Sequence, residues 1–369
     1  MVMRFLIRQN FMNRAAFKLL MLVLIGYTVL IGAQENQTLI PKWSRFQGEL
    51  TSLKQYDNPA RDLQLKALFI PPVGDSVLVD GFWDGGNDWK IRFMPDMAGK
   101  WTFKITCSDE SNLGLHNLEG SFLCTAPVPD NVLSKNGPIR VSRSRTHFMY
   151  DNESPFFWMA DTAWNGPLKS NEFDWKNYLE ERKRQGFTAV QWIATPWRGF
   201  PKGDLAGQMP FSDKEKKRIN PEYFRRLDNR VEAINRAGLI SVPVLFWASG
   251  EEDNLINSLS DDQAISLGRY MVARWGASFG AWILGADGNY SGADGDRWRK
   301  IGQAVFGDRR RAPVFIHPKA KSWIFESFRD EKWLTAIGYQ IGHDINDATN
   351  NWIYNGPPTR DWDKLPRRP

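Results

Sequence analysis

From Phe156 onward the chain repeats one unit: a short, nearly continuous apolar run, a polar turn, then a helical pattern. Phe156–Ala160 runs into Asp161, Thr162, Ala163 and Trp164, and a helical stretch, Asn171–Gly186, comes next. Thr188–Ala194 leads to Pro196-Trp197-Arg198 and then to a helix over Pro221–Ala237, with Asn220 as N-cap, Pro221 at its first position and Gly238 as its stop. Leu239–Trp247 precedes the helix Asp261–Ala277, and Ala281–Leu284 precedes a helical pattern opening at Asp296. Pro313–Ile316 ends at His317, and Thr335–Tyr339 ends at Gln340 and His343-Asp344. Strands this apolar, alternating with helices, predict a parallel sheet covered on both faces.

Two architectures fit six such units: an open doubly wound sheet or a (β/α)8 barrel. No glycine-rich phosphate loop opens any of the helices, which disfavours a nucleotide-binding open sheet. The strands lead instead into Asp, Trp, Arg, Asn, His and Gln, the lining of a mouth that grips a polyhydroxylated ligand. The expectation is therefore a TIM-type barrel over residues 155–369, incomplete in this chain, with the sequence stopping before strand seven.

Residues 41–127 read differently. Leu63–Ile70, Trp89–Met94 and Trp101–Cys107 alternate with period two between Gly- and Pro-rich turns, the pattern of an antiparallel β-sandwich. Asp84 and Asp88 lie in one of those turns, where acidic residues are usually only solvated and rarely hold Ca²⁺. Cys107 and Cys124 sit in strand-like runs, and either a disulfide or two separate buried thiols fits them. Residues 128–154 form a linker, rich in Pro, Asn and Gly, and a small hairpin of Ile139–Val141 with His147–Tyr150.

The first 33 residues carry Arg4, Arg8, Arg14 and Lys18 with no acid, then the apolar run Leu19–Ile31 and the small pair Gly32-Ala33. That order is a secretory signal, although the run is also near the lower limit for an uncleaved anchor. Cleavage removes four of the charges behind the formal +6, leaving +2, too little for a nucleic-acid partner and with no basic stripe. An exported protein, periplasmic, extracellular or on the cell surface, is expected, with no stable membrane insertion after the signal is removed. Four histidines without clustered spacing predict no metal, and no cofactor is expected. Seventeen tryptophans are many for a chain of this length, and indole faces are surfaces on which sugar rings stack.

Catalytic groups in barrels stand at the C-terminal ends of strands. Asp287, after Ala281–Leu284 and Gly285-Ala286, holds such a place, although an aspartate there also serves as a cap or turn residue. The other candidates are Asp161 and Trp164 after the first strand, Trp197 and Arg198 after the second, and Trp247 after the third. Asn289 lies just beyond Asp287; His317, Gln340 and His343 come after the last two strands. For Asp161 a turn cap competes with sugar binding, for Trp247 core packing, and for His343 the start of a further helix. Glu251, in the acidic run Glu251-Glu252-Asp253, is the substitute acid if Asp287 is not one.

A small sandwich followed by FFWMADTAW, WILGADGNY and YQIGHD resembles the apiosidase-like glycoside hydrolases, over nearly all of residues 41–369. The resemblance implies an exported hydrolase of plant cell-wall polysaccharide, including pectin side chains, with Asp287 as acid/base. The family's Gly-Gly-Asp turn is Gly285-Ala286-Asp287 here. The nucleophilic Glu that members carry after strand seven is expected beyond residue 369, because retaining hydrolysis needs two carboxyls roughly 5–5.5 Å apart. An acid/base at this place would have its pKa raised by desolvation. A non-catalytic exported carbohydrate-binding protein, or an inactive fragment, is the alternative; another barrel hydrolase that uses a metal is disfavoured by the missing ligand cluster.

Overall fold

The computed structural model describes residues 3–4, 38–250, 253–307, 312–361 and 363–369. The alternating runs of the first part become two sheets. One has the strand order β1 (Met3–Arg4), β3 (Phe46–Thr51), β7 (Asp88–Phe93), β6 (Phe82–Trp83). The other runs β2 (Leu39–Pro41), β9 (Leu118–Thr125), β8 (Gly99–Cys107), β4 (Leu65–Ile70), β5 (Val77–Asp80). Alternation turns Phe46 and Phe93 of the first sheet onto Phe69, Phe103 and Phe122 of the second; the Phe69 and Phe93 rings stack at 4.0 Å. Gly99 pairs with Cys124 while Cys107 lies eight residues further along the same strand, so the two thiols sit at opposite ends of the β8–β9 pair. Both are buried and unbonded. Strands rise about 3.3 Å per residue, so the spacing far exceeds the Cα separation a disulfide tolerates.

The linker is not wholly irregular. Val132–Asn136 is a short helix, capped by Asn131, whose side chain accepts from the backbone N–H groups of Leu133 and Ser134. A hairpin of β10 (Ile139–Val141) and β11 (Phe148–Tyr150) comes after it.

The second part holds five parallel strands in chain order: β12 (Ala160–Thr162), β13 (Ala189–Ile193), β14 (Ile240–Trp247), β15 (Trp282–Ala286) and β16 (Val314–His317). Sequential order with a helix after each of the first four is the arc of a (β/α) barrel. All eight residues of β14 are buried, as a strand covered on both faces requires. Local signals set the helices. Asn171 caps Glu172–Arg184 by accepting from Asp174 N–H, and Asn220 with Pro221 opens Pro221–Arg236. Ser260 and Gln263 form a capping box on Asp261–Trp275.

Three expectations shift. The first strand is shorter and later than Phe156–Ala160, so Asp161 lies within it. The helix after Asp287 begins at Gly292, not Asp296. The sixth strand does not form: Thr335 and Ala336 donate to Val314 O, but Ile337 donates to Pro369 O, and no ladder continues from β16 among the described residues.

The sandwich and the barrel arc meet through buried charge rather than a bare apolar seam. Asp228 accepts from Arg274 at 2.7 and 3.1 Å, from Arg92 at 2.8 Å and from the Trp275 indole at 2.8 Å. Asp84 pairs with Arg274 at 2.7 Å and with Lys90 at 2.6 Å. The Asp84 carboxylate is therefore neither solvated nor free for a cation. Arg274 is fully buried. No described helix is long and apolar enough to cross a membrane.

Candidate active site

Where β15 ends, the chain turns inside a packed shell. A Cβ on Gly285 would stand 2.9 Å from the Trp298 ring and from the Tyr290 hydroxyl; one on Gly288 would stand 2.9 Å from the Ala248 methyl. Between these glycines Asp287 takes φ +52°, a left-handed conformation that aspartate tolerates better than most residues. Its N–H donates to His317 O at 2.8 Å, tying the turn to the end of β16. The carboxylate Oδ1 accepts from Gln340 Nε2 at 2.7 Å, and His317 Nε2 stands 3.7 Å away. Gln340 Nε2 also donates to Pro318 O at 2.7 Å, so both amide protons are committed to holding Asp287 against the β16 exit. Asp287 remains partly open, with a quarter of its side chain accessible.

An aromatic corner adjoins this pair. The Trp164 ring meets His317 edge-on at 5.9 Å and Trp247 at 5.4 Å, while Trp197 lies 4.6 Å from Trp247. Trp197 Nε1 donates to Asn165 Oδ1 at 2.6 Å, and the Arg198 guanidinium stands 5.8 Å from the Trp197 ring centre. Burial pushes the His317 pKa down, against the opposing pull of the Asp287 charge, so a neutral imidazole is favoured. Trp247 is buried and its indole N–H has no partner among the described residues.

The structure thus gathers Asp287, His317, Gln340, Trp164, Trp197 and Trp247, with Arg198 at the rim. It places three others elsewhere. Asp161 points to the outer helix, where its carboxylate accepts from Tyr178 OH at 2.7 Å and from Arg182. It clamps the helix Glu172–Arg184 to the sheet, because a residue inside a strand faces one side or the other and this one faces the helix. Asn289 is exposed, accepting from Ser291 and donating to Asp294 at 2.8 Å, and so organises the start of the helix Gly292–Val305. His343 is exposed beyond the segment that fails to become a strand. Glu251 and residues 5–33 lie outside the described residues.

Sequence reasoning missed Asn254 and Tyr290. Asn254 is fully buried: its amide donates to Ser249 O at 2.8 Å and its carbonyl accepts from Arg198 N–H at 3.2 Å, joining the loops after β13 and β14. Tyr290 packs beneath the Asp287 turn, and burial holds its hydroxyl well above the usual pKa. Nothing in their sequence neighbourhoods marks either role. Among the described residues no group of three or more His, Cys, Asp or Glu converges as a metal site.

The site is a (β/α)-barrel arc that presents a carboxylate, an imidazole and indoles at its strand ends. A structure from Bacteroides vulgatus ATCC 8482, described as a "putative glycoside hydrolase", superposes with a TM-score of 0.69 at 21% identity, over 82% of this chain and 60% of that one. A glycoside hydrolase family 5 structure from the same organism gives 0.56 at 21% identity, over 65% and 54%. At that identity the likeness is one of fold, and this chain spans little more than half the length of these relatives. The chain belongs to the apiosidase-like catalytic domain family, whose model matches residues 142–369. A domain of unknown function, DUF5060, matches residues 39–108. No protein of curated function matches the chain.

Proposed function

We propose that the chain is part of a glycoside hydrolase in which Asp287 protonates the leaving oxygen. The observation that carries this is the Asp287 carboxylate at the end of β15, oriented by Gln340 with His317 beside it and tryptophan rings alongside. A general acid must be held within hydrogen-bond reach of the scissile oxygen, and sugar rings present apolar faces to indoles. His317 and Trp164 would then contact the ring that carries the reacting carbon. A retaining reaction needs a second carboxyl roughly 5–5.5 Å from that of Asp287, which in this reading is a glutamate.

The substrate in this reading is plant cell-wall polysaccharide, with pectin side chains first, and the protein is exported. Family membership and the basic, then apolar, N-terminal sequence support those choices. The test is release of reducing sugar from pectic polysaccharide by the longest natural form of the protein, before and after Asp287→Asn. Loss of turnover with unchanged unfolding temperature supports the assignment; undiminished turnover removes Asp287 from the mechanism. A second reading has one observation in its favour: the polar partners of the Asp287 side chain are His317 and Gln340, with no second carboxyl among them. In that reading the 369 residues bind glycan without cleaving it, which saturable binding with no product would reveal.

A further inference from the structure

A second concave surface lies between the sandwich and the helix Asp261–Trp275, a cleft of about 570 Å³. That volume is in the range of small-molecule sites, which gather preferentially at domain interfaces. One wall is Arg61, Lys66 and Trp83 of the sandwich; the other is the loop of Lys216 and Lys217 with the first turns of the helix. That loop and the Ser260 cap both leave the C-terminal ends of strands, the end of the sheet that carries Asp287.

Charge separates this cleft from the rest of the interface. Elsewhere on it cations meet carboxylates: Arg92 and Arg274 have Asp228, Lys90 has Asp84, and Arg225 has Glu222. In the cleft, Lys216 reaches Ser258 and Arg269 donates to Ala304 O, neither of them an acid. Arg61, Lys66 and Lys217 have no ion-pair partner among the described residues, and the acids on the lining are Asp80 and Asp262. Lys66 faces Asp80 across the β4–β5 pair, yet Arg61, Lys66, Lys216, Lys217 and Arg269 outnumber Asp80 and Asp262 on the lining, so its net charge is positive and an anion between the walls relieves the repulsion. Trp83 is half-buried, with its indole fixed by donation to Gly86 O at 2.8 Å, so it offers a rigid apolar face beside the cations.

We propose that this cleft binds an acidic saccharide, a hexuronate-bearing chain whose carboxylates meet Arg61, Lys66 and Lys217 while a ring face lies on Trp83. An inorganic anion would make no use of the indole, and a neutral glycan none of the cations. The choice of a saccharide rests on the glycan-acting reading above; the choice of an anion rests on the cleft alone.

The test is calorimetric titration of the 369-residue chain with trigalacturonate, with maltotriose as the neutral control and inorganic phosphate as competitor. Saturable trigalacturonate binding is expected, weakening as salt rises. The combined variant Arg61→Ala, Lys66→Ala, Lys217→Ala should weaken it at least about tenfold, and Trp83→Ala should weaken it too. These are surface side chains, and an unchanged unfolding temperature shows that the fold persists. No binding, equal binding of maltotriose, displacement by phosphate at equal affinity, or full binding by the triple variant overturns the proposal. Loss of binding in Asp287→Asn would move the ligand to the strand mouth and overturn it as well. Cleft binding by a full-length protein that hydrolyses no glycan would sink the proposed function and leave this inference standing.

Discussion

Replacing Asp228 by Asn probes the charge cluster that joins the two parts of the molecule. Asparagine keeps the shape but removes the charge that faces Arg274 and Arg92, whose side chains are 0% and 5% exposed. It also places an amide N–H₂ where the carboxylate accepts from guanidinium and indole donors. Arg274 keeps Asp84, but Arg92 is left without its carboxylate, and stranding a buried charge in this way costs about 3–5 kcal/mol. For a domain of about 200 residues each kcal/mol shifts the unfolding temperature by roughly 2–4 °C, so a fall on the order of 10 °C is expected. The guanidiniums also hold the Asp228 carboxyl down, at a pKa of about 2, against the burial that raises it. A carboxyl with a depressed folded-state pKa contributes stability above its unfolded value, and that contribution disappears as pH falls through the folded value. From pH about 4 to about 2 the native protein should therefore lose an increment of roughly 2 kcal/mol that Asp228→Asn lacks. Denaturant melts at pH 7, 4 and 2.5 measure both effects. A loss below about 1 kcal/mol at pH 7, or the same acid limb in both proteins, would refute the cluster as an energetic bridge.

Gln340→Ala removes the amide that aims Asp287, a charge-assisted hydrogen bond worth about 1.5–3 kcal/mol. If Asp287 is the acid, kcat should fall roughly 10- to 100-fold with KM nearly unchanged, and steady-state kinetics separate the two. Asp161→Ala should lower stability by about 1–2 kcal/mol by freeing Tyr178 and Arg182, yet leave glycan binding intact, since its carboxylate serves the outer helix. Gly288→Ala drives a methyl against Ala248 and Tyr290 and should cost about 1–3 kcal/mol by thermal melting. Burial pushes the Cys124 thiol up to about 11. Both thiols should therefore resist alkylation at pH 8 until the chain is unfolded; rapid labelling of the native protein would contradict the buried, unbonded assignment.

Much of this molecule was legible in its sequence because the signals are local. Period-two runs from Leu63 to Cys107, the caps at Asn171, Asn220 and Ser260, and the apolar strands ending in polar residues each depend on a few neighbours. They predict two sheets and a β/α succession, and place Asp287 at a strand end. Where the reading failed, tertiary contact decided. Asp161 and Asp287 look alike as aspartates near strand ends, but Asp161 lies inside β12 and meets Tyr178 and Arg182 of the outer helix, whereas Asp287 lies just past β15 in a left-handed turn at the mouth. Asp84 has the local surroundings of a solvated turn residue and is a buried partner of Arg274, 190 positions away. No local pattern carries that pairing, because the energy of a buried charge depends on what the fold brings to it. The Gln340 amide is the same case: only the folded arc sets it beside Asp287, and only there does it have an orienting role.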